Sequence, residues 1–254
     1  MSGILDSFKL DGKAAIVTGA ARGLGQAMAL ALAEAGADVL AVDVLDATDT
    51  QAQIRKLGRK GETLTGDLTK AGVPTDVVAK AVAAFGRVDI LVNNAGIIRR
   101  ADFLDFSEKD WDDVMNLNIK ALFLLSQAAA RVMVKNGRGK IISVASMLSF
   151  QGGIRVPSYN ASKSGVMGLT RLMACELGPK GIQANAIAPG YMATDNTAPL
   201  RADAARSQAI LDRIPAGRWG TPDDLKGAVV FLASAASDYL NGYTIAVDGG
   251  WLAR

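Results

Sequence analysis

Short apolar runs alternate with longer helical patterns along this chain, and no single motif limits the fold as strongly. Ala14–Val17 is the first run, followed by a helical pattern from Leu24 to Ala35 that stops at Gly36. Val39–Val42 comes next, then a polar helix from Ala47 to Leu57. Thr63-Leu64 is a weaker third strand, and Val77 to Phe85 a third helix closed by Gly86. Ile90–Val92 precedes a long helix from about Trp111 to Val134, and Ile141–Val144 precedes a helix from Tyr159 to Leu177. Ala184–Ile187 and Thr244–Val247 complete the strands. Runs that are apolar throughout, rather than alternating, belong to strands covered on both faces. Strand-helix alternation at this spacing builds right-handed βαβ units and a parallel sheet. The fold class is therefore α/β, with a doubly wound parallel sheet.

No Pro/Gly/Ser-rich linker or composition shift divides the chain, so residues 1–254 are expected to form one domain. The stretch from about 190 to 212 has no place in the alternation. It reads as a loop plus short helices inserted beside the site, a candidate lid. Half the residues are apolar and 21% are charged, enough for a sizeable core in 254 residues. A net charge of +3 with no basic block argues against a nucleic-acid partner. One cysteine and no histidine exclude an internal disulfide and argue against a transition-metal site. Cys175, in the apolar run Leu-Met-Ala-Cys-Glu-Leu, is expected in the core. Charges near the N-terminus and the lack of a long uncharged run point to a soluble, cytoplasmic protein with no membrane partner.

Thr18-Gly19-Ala20-Ala21-Arg22-Gly23-Leu24-Gly25 follows the first strand and opens the first helix. Glycine there permits a tight turn and lets a pyrophosphate reach the unpaired N–H groups of the helix N-terminus. Asp43 ends the second strand, where a carboxylate accepts the ribose hydroxyls of an adenosine and repels a 2′-phosphate. Arg22 opposes that preference, yet Val44-Leu45 supplies no further cation. NAD(H) is therefore expected over NADP(H).

Tyr159 and Lys163 lie four residues apart, about one helical turn, with Ser146 thirteen positions upstream of the tyrosine. In a chain without histidine, a phenol tuned by a lysine is a candidate proton-transfer group. At about 4 Å and an effective dielectric near 20, the attraction is on the order of 4 kcal/mol, or roughly three pKa units. Ser143 and Ser149 also flank the site, but only Ser146 has this offset.

Together with Asn93-Asn94-Ala95-Gly96 after the fourth strand and Pro189-Gly190 after the sixth, these motifs resemble the short-chain dehydrogenase/reductase family over essentially the whole chain. The resemblance implies a Rossmann-like sheet of seven strands, one nicotinamide cofactor per subunit and a homotetramer. It makes Tyr159 the general acid/base, Lys163 the group that holds the nicotinamide ribose and lowers the tyrosine pKa, and Ser146 the group that orients the substrate. Asn118 matches the proton-relay asparagine, with Asn116 as a neighbouring alternative. Asp67 and Leu68 match the adenine contact, and Asn94, Ala95 and Gly96 line the cofactor. Pro189, Gly190 and Met192, in the loop after the sixth strand, are expected to contact the cofactor, and Thr194 matches the carboxamide contact. The apolar segment from Tyr243 to Arg254 is expected beneath another subunit, with Trp251 near that interface.

Phe106–Lys120, Ala145–Tyr159 and Val247–Arg254 further resemble a branch of the family that acts on small keto-sugar acids, including keto-uronates. Arg99, Arg100 and Arg155 fall in loops at the strand ends, and arginine suits bidentate carboxylate recognition. Gln151 is a further candidate for the substrate wall, as is Met192. Two other functions remain open: reduction of a carrier-bound 3-oxo thioester, and NAD binding without turnover in a sensor or scaffold.

Overall fold

The structure, a computed structural model, describes residues 3–254. Its strands are β1 (Ala14–Thr18), β2 (Asp38–Asp43), β3 (Gly61–Thr65), β4 (Ile90–Asn93), β5 (Gly139–Val144), β6 (Ile182–Pro189) and β7 (Thr244–Val247). All seven join one parallel sheet in the order β3-β2-β1-β4-β5-β6-β7. The winding reverses between β1 and β4, so a crevice opens beyond their carboxyl ends.

Alternate residues of each central strand feed opposite layers. Val17, Val39, Ala41, Val92 and Val144 face Met28, Leu32, Val229 and Leu232 of helices α1 (Gly23–Glu34) and α9 (Lys226–Ala233). Ile16, Leu40, Leu91 and Ile141 face Val77, Leu125, Ala129 and Met133 of α3 (Val73–Phe85) and α5 (Leu122–Lys135). Helix α6 (Pro157–Leu177) packs Val166 and Met167 against Ala186 and Ala188 of β6. It begins with proline at its first position, where the missing N–H costs nothing. Helix α2 (Thr48–Lys56) covers the outer strands, and the short helices α7 (Ala198–Ala202) and α8 (Ala204–Leu211) follow β6.

Several elements differ from the sequence expectation. Helix α9 has no counterpart in the expected alternation, and β3 is a full five-residue partner of β2. The expected helix from Trp111 starts earlier, at Glu108, because Ser107 accepts the Asp110 N–H as its cap. This rod is α4 (Glu108–Met115), a π-helical stretch at Asn116–Ala121, then α5. By length and composition Glu108–Lys135 could cross a membrane, but Val114, Ala121, Leu125 and Ala129 are buried inside this fold. Cys175 is exposed on α6 rather than in the core. Trp251 is 4% exposed, covered by its own chain: Tyr191 lies 4.8 Å from its ring and the Arg213 guanidinium 4.0 Å.

At the reversal, the ends of β1 and β4 are tied by side chains. The buried Thr18 hydroxyl donates to the Val92 carbonyl and accepts from the N–H groups of Asn94 and Ala95. The Asn94 amide donates back to the carbonyls of Thr18 and Gly19. Thr18→Val keeps the shape but leaves two N–H groups without their acceptor. A loss of about 2 kcal/mol is expected in urea unfolding, together with weaker nicotinamide-nucleotide binding; an unchanged midpoint would contradict this role.

Candidate active site

A cavity of about 400 Å³ occupies the crevice beyond β1 and β4. Its floor is the glycine turn. Gly19 has φ +65°, and a Cβ on it would meet the Asn94 amide at 2.7 Å. A Cβ on Gly25 would lie 2.0 Å from the Gly19 carbonyl oxygen, so only glycine lets the first turn of α1 close against the loop. Arg22 is the extended residue before α1, and the first N–H groups of the helix open onto the cavity with Gly23, Leu24 and Gly25 in its wall. This cradle suits a dinucleotide pyrophosphate, which needs close backbone approach and N–H donors.

Asp43 lines the cavity at the end of β2. One carboxylate oxygen accepts the Ala21 N–H at 2.9 Å and the other the Leu45 N–H at 3.0 Å. The carboxylate is therefore fixed beside the glycine turn. Gly66 and Leu68 line the same wall, whereas Asp67 turns back to accept from Thr69 N–H and Oγ1.

The opposite end carries the candidate catalytic groups. Val144, Tyr159, Lys163, Asn94, Ala95 and Gly96 all line it. Ser146 sits just past β5, where its hydroxyl accepts the Leu148 N–H at 3.1 Å. Ser143 is buried in β5 with no partner for its hydroxyl among the described residues, and Ser149 donates to the Lys163 carbonyl, whereas Ser146 acts on the phenol and favours its ionised form. Asn118 is buried in the π-helical stretch. Its carbonyl oxygen accepts from Ile97 N–H at 2.9 Å and its amide donates to Ile97 O and Ser162 Oγ. The extra residue of the π turn aims this side chain across to the β4 loop and α6.

The tyrosine–lysine pair is looser than its spacing predicts. Lys163 Nζ lies 5.7 Å from the Tyr159 ring centre and donates to the Val144 carbonyl at 2.6 Å. Burial raises the Tyr159 pKa above its ordinary value, against weaker lowering by Ser146 and by the positive Arg100. Burial pulls Lys163 down to about 8. The expected three-unit depression of the phenol by the ammonium is absent here. At neutral pH the phenol keeps its proton and the lysine its charge.

The candidate substrate residues separate. Arg100 lines the cavity and donates to the Asn196 carbonyl at 3.4 Å. Arg99 turns away to Asp110 and Asp113 on α4. Arg155 pairs with Asp102 at 2.9 Å, and its backbone takes a left-handed φ of +65°. Gln151 accepts from Arg213 at 3.3 Å. Thr194 lines the cavity, whereas Pro189, which ends β6, and Gly190 do not. A Cβ on Gly190 would strike Asp248 Cα at 2.6 Å. Met192 is buried and borders a smaller cavity of about 140 Å³ with Gly220 and Asp248.

The wall also contains Val44, Leu45, Ile97, Ile98, Leu117, Asp195, Asn196 and Thr197, which motif reading does not single out. Only their proximity in sequence to Asp43, Gly96, Asn118 and Thr194 offered a signal.

The family profile described as enoyl-(acyl carrier protein) reductase matches residues 19–252. The 2-dehydro-3-deoxy-D-gluconate 5-dehydrogenase of Escherichia coli (strain K12) is 65% identical over 99% of this chain and 100% of its own length. A candidate 2-deoxy-D-gluconate 3-dehydrogenase from Agrobacterium tumefaciens, solved with bound NADP, is 54% identical. It has a TM-score of 0.92, over 98% of this chain and 100% of its own. The gluconate 5-dehydrogenase of Burkholderia cenocepacia J2315, in complex with NADP and tartrate, is 41% identical. It has a TM-score of 0.95, over 99% of this chain and 100% of its own.

Lys163 gives a test of the site's electrostatics. Its folded pKa near 8 lies below the ordinary 10.5, so between those values the unfolded chain holds a proton the folded protein has lost. Stability from this group therefore rises from pH 8 to 10.5 and is lost as pH falls through 8. Relative to wild type, Lys163→Met is expected to flatten that rise in the urea midpoint. Parallel pH curves for the two proteins would contradict it.

Proposed function

Because the chain belongs to the short-chain dehydrogenase/reductase family, we propose that it is an NAD(H)-dependent oxidoreductase. It interconverts a ketone and a secondary alcohol on a small keto-sugar acid, as a 2-dehydro-3-deoxy-D-gluconate 5-dehydrogenase. The observation that carries the substrate reading is Arg100, a guanidinium in the same cavity wall as Tyr159 and Lys163. It acts electrostatically on the phenol and, among the described residues, pairs with no carboxylate, donating to the Asn196 carbonyl at 3.4 Å. A substrate carboxylate is the group that would use such a cation.

The nicotinamide supplies or accepts the hydride. The chain's own groups handle the oxygen and its proton. In the reducing direction, Ser146 and Tyr159 hydrogen-bond the substrate carbonyl oxygen. Tyr159, protonated at neutral pH because burial raises its pKa, donates that proton as negative charge develops on the oxygen. Lys163, fixed by the Val144 carbonyl, keeps a positive charge behind the phenol and favours the phenolate left after transfer. Asn118, locked between Ile97 and Ser162, would hold the water through which a proton returns to the phenol by way of Lys163 and the cofactor ribose.

Gly19, Gly23, Leu24 and Gly25 would hold the pyrophosphate, Asp43 the adenosine ribose, Leu68 the adenine side, and Asn94 to Gly96 with Thr194 the nicotinamide half. A fixed carboxylate at Asp43 supports NAD(H) over NADP(H), although the two named structural neighbours were solved with NADP. We read 190–212 as the lid of this one domain and the working protein as a cytoplasmic homotetramer.

The assay is NADH formation from NAD⁺ and 2-dehydro-3-deoxy-D-gluconate, beside NADP⁺ and beside NADPH with a carrier-bound 3-oxo thioester. Turnover with the sugar acid and a preference for NAD⁺ are expected; turnover of the thioester alone would favour the acyl-carrier reading. Arg100→Met should raise KM for the acid by roughly tenfold or more, with NADH affinity unchanged. An unchanged KM would remove Arg100 from the carboxylate site.

A further inference from the structure

Arg22 is not free to meet a cofactor phosphate. Its guanidinium forms an ion pair with Asp195 at 2.7 Å. The two residues come from separate parts of the chain, Arg22 immediately before α1 and Asp195 at the start of the short helical turn after β6, and both line the cavity. The turn carrying Asp195 is held in place on its other sides. Arg100 donates to the Asn196 carbonyl, Arg201 donates to the Thr194 carbonyl, and the Thr197 hydroxyl donates to the Met192 and Thr194 carbonyls. Asp195 is thus presented to Arg22 by a braced segment.

We infer that Asp195 is a cofactor-specificity residue, which withholds Arg22 from the 2′-phosphate of NADP(H). This deepens the reading of the cavity as a nicotinamide-nucleotide site and rests on it. A 2′-phosphate beside the end of β2 meets a fixed carboxylate at Asp43, and Arg22 is the cation of the glycine turn able to offset it. For Arg22 to pair with that phosphate it must leave Asp195, and a second carboxylate is then unpaired in a cavity already holding a polyanion. NAD(H) makes no such demand, so the ion pair survives its binding. The preference thereby has two layers: direct repulsion by Asp43, and occupation of the compensating arginine by Asp195. The second layer explains how a glycine turn with an arginine can still favour NAD(H).

Both partners are more than half exposed, at 66% and 72%, so the effect is modest. The experiment measures binding of NADH and NADPH, by the fluorescence of the reduced cofactors, to wild type, Asp195→Asn, Arg22→Ala and the double variant. Asp195→Asn is expected to tighten NADPH relative to NADH by about three- to tenfold. In the Arg22→Ala background the same substitution should move the ratio by less than about twofold. An unmoved ratio in Asp195→Asn, or an equal shift with and without Arg22, overturns the inference while leaving the parent reading intact. Failure of wild type to bind either cofactor would overturn both.

Discussion

One threonine hydroxyl, buried at the end of β1, bonds the Val92 carbonyl and the N–H groups of Asn94 and Ala95. It sits where the sheet reverses its winding, so it joins the half that carries the glycine turn to the half that carries Ser146, Tyr159 and Lys163. Sheet hydrogen bonds fix the strands and reach into the glycine turn at Ala20, whose N–H donates to the Val42 carbonyl, but this ties the turn to β2 and not to β4. Without the Thr18–Asn94 bridges, the turn and the β4 loop would have no shared reference. With them, the glycines close against Asn94, whose amide would lie 2.7 Å from a Cβ on Gly19 and 2.6 Å from one on Gly25, and one cavity spans both halves. Thr18 therefore acts beneath the cavity rather than in its wall.

The electrostatics of the catalytic end follow from burial more than from pairing. A lysine one turn from a tyrosine suggests a phenol pulled toward neutrality, but the Lys163 ammonium points to the Val144 carbonyl and desolvation dominates both groups. The result is a protonated phenol beside a charged lysine at pH 7. That state is ready to donate a proton to a developing alkoxide. Arg100 adds a positive potential that favours the phenolate, against the larger effect of burial.

Much of this was legible in the sequence, because it depended on local rules. Short runs gave all seven strands, the third only weakly, and most of the helices, and the glycine turn and the Tyr159–Lys163 pair located the cavity. What escaped depended on tertiary contact. Helix α9, Lys-Gly-Ala-Val-Val-Phe-Leu-Ala, is rich in residues that suit strands and is helical because it packs against α1. Cys175 lies in an apolar run yet faces outward, since the α6 stripe turned to β6 is formed by Val166 and Met167. The three arginines look equivalent in sequence, and only carboxylates at Asp102, Asp110 and Asp113 decide which two are drawn away. Trp251 reads as an interface residue because its partners, Tyr191 and Arg213, are distant in sequence.

In the proposed mechanism a buried, protonated Tyr159 moves the proton, while other residues bind the cofactor. Tyr159→Phe tests it most directly, with NADH binding and single-turnover reduction measured on the same protein. NADH affinity is expected to stay within about twofold of wild type, with the hydride-transfer rate lowered by roughly 10³-fold or more. Near-normal transfer with the phenylalanine in place would contradict it.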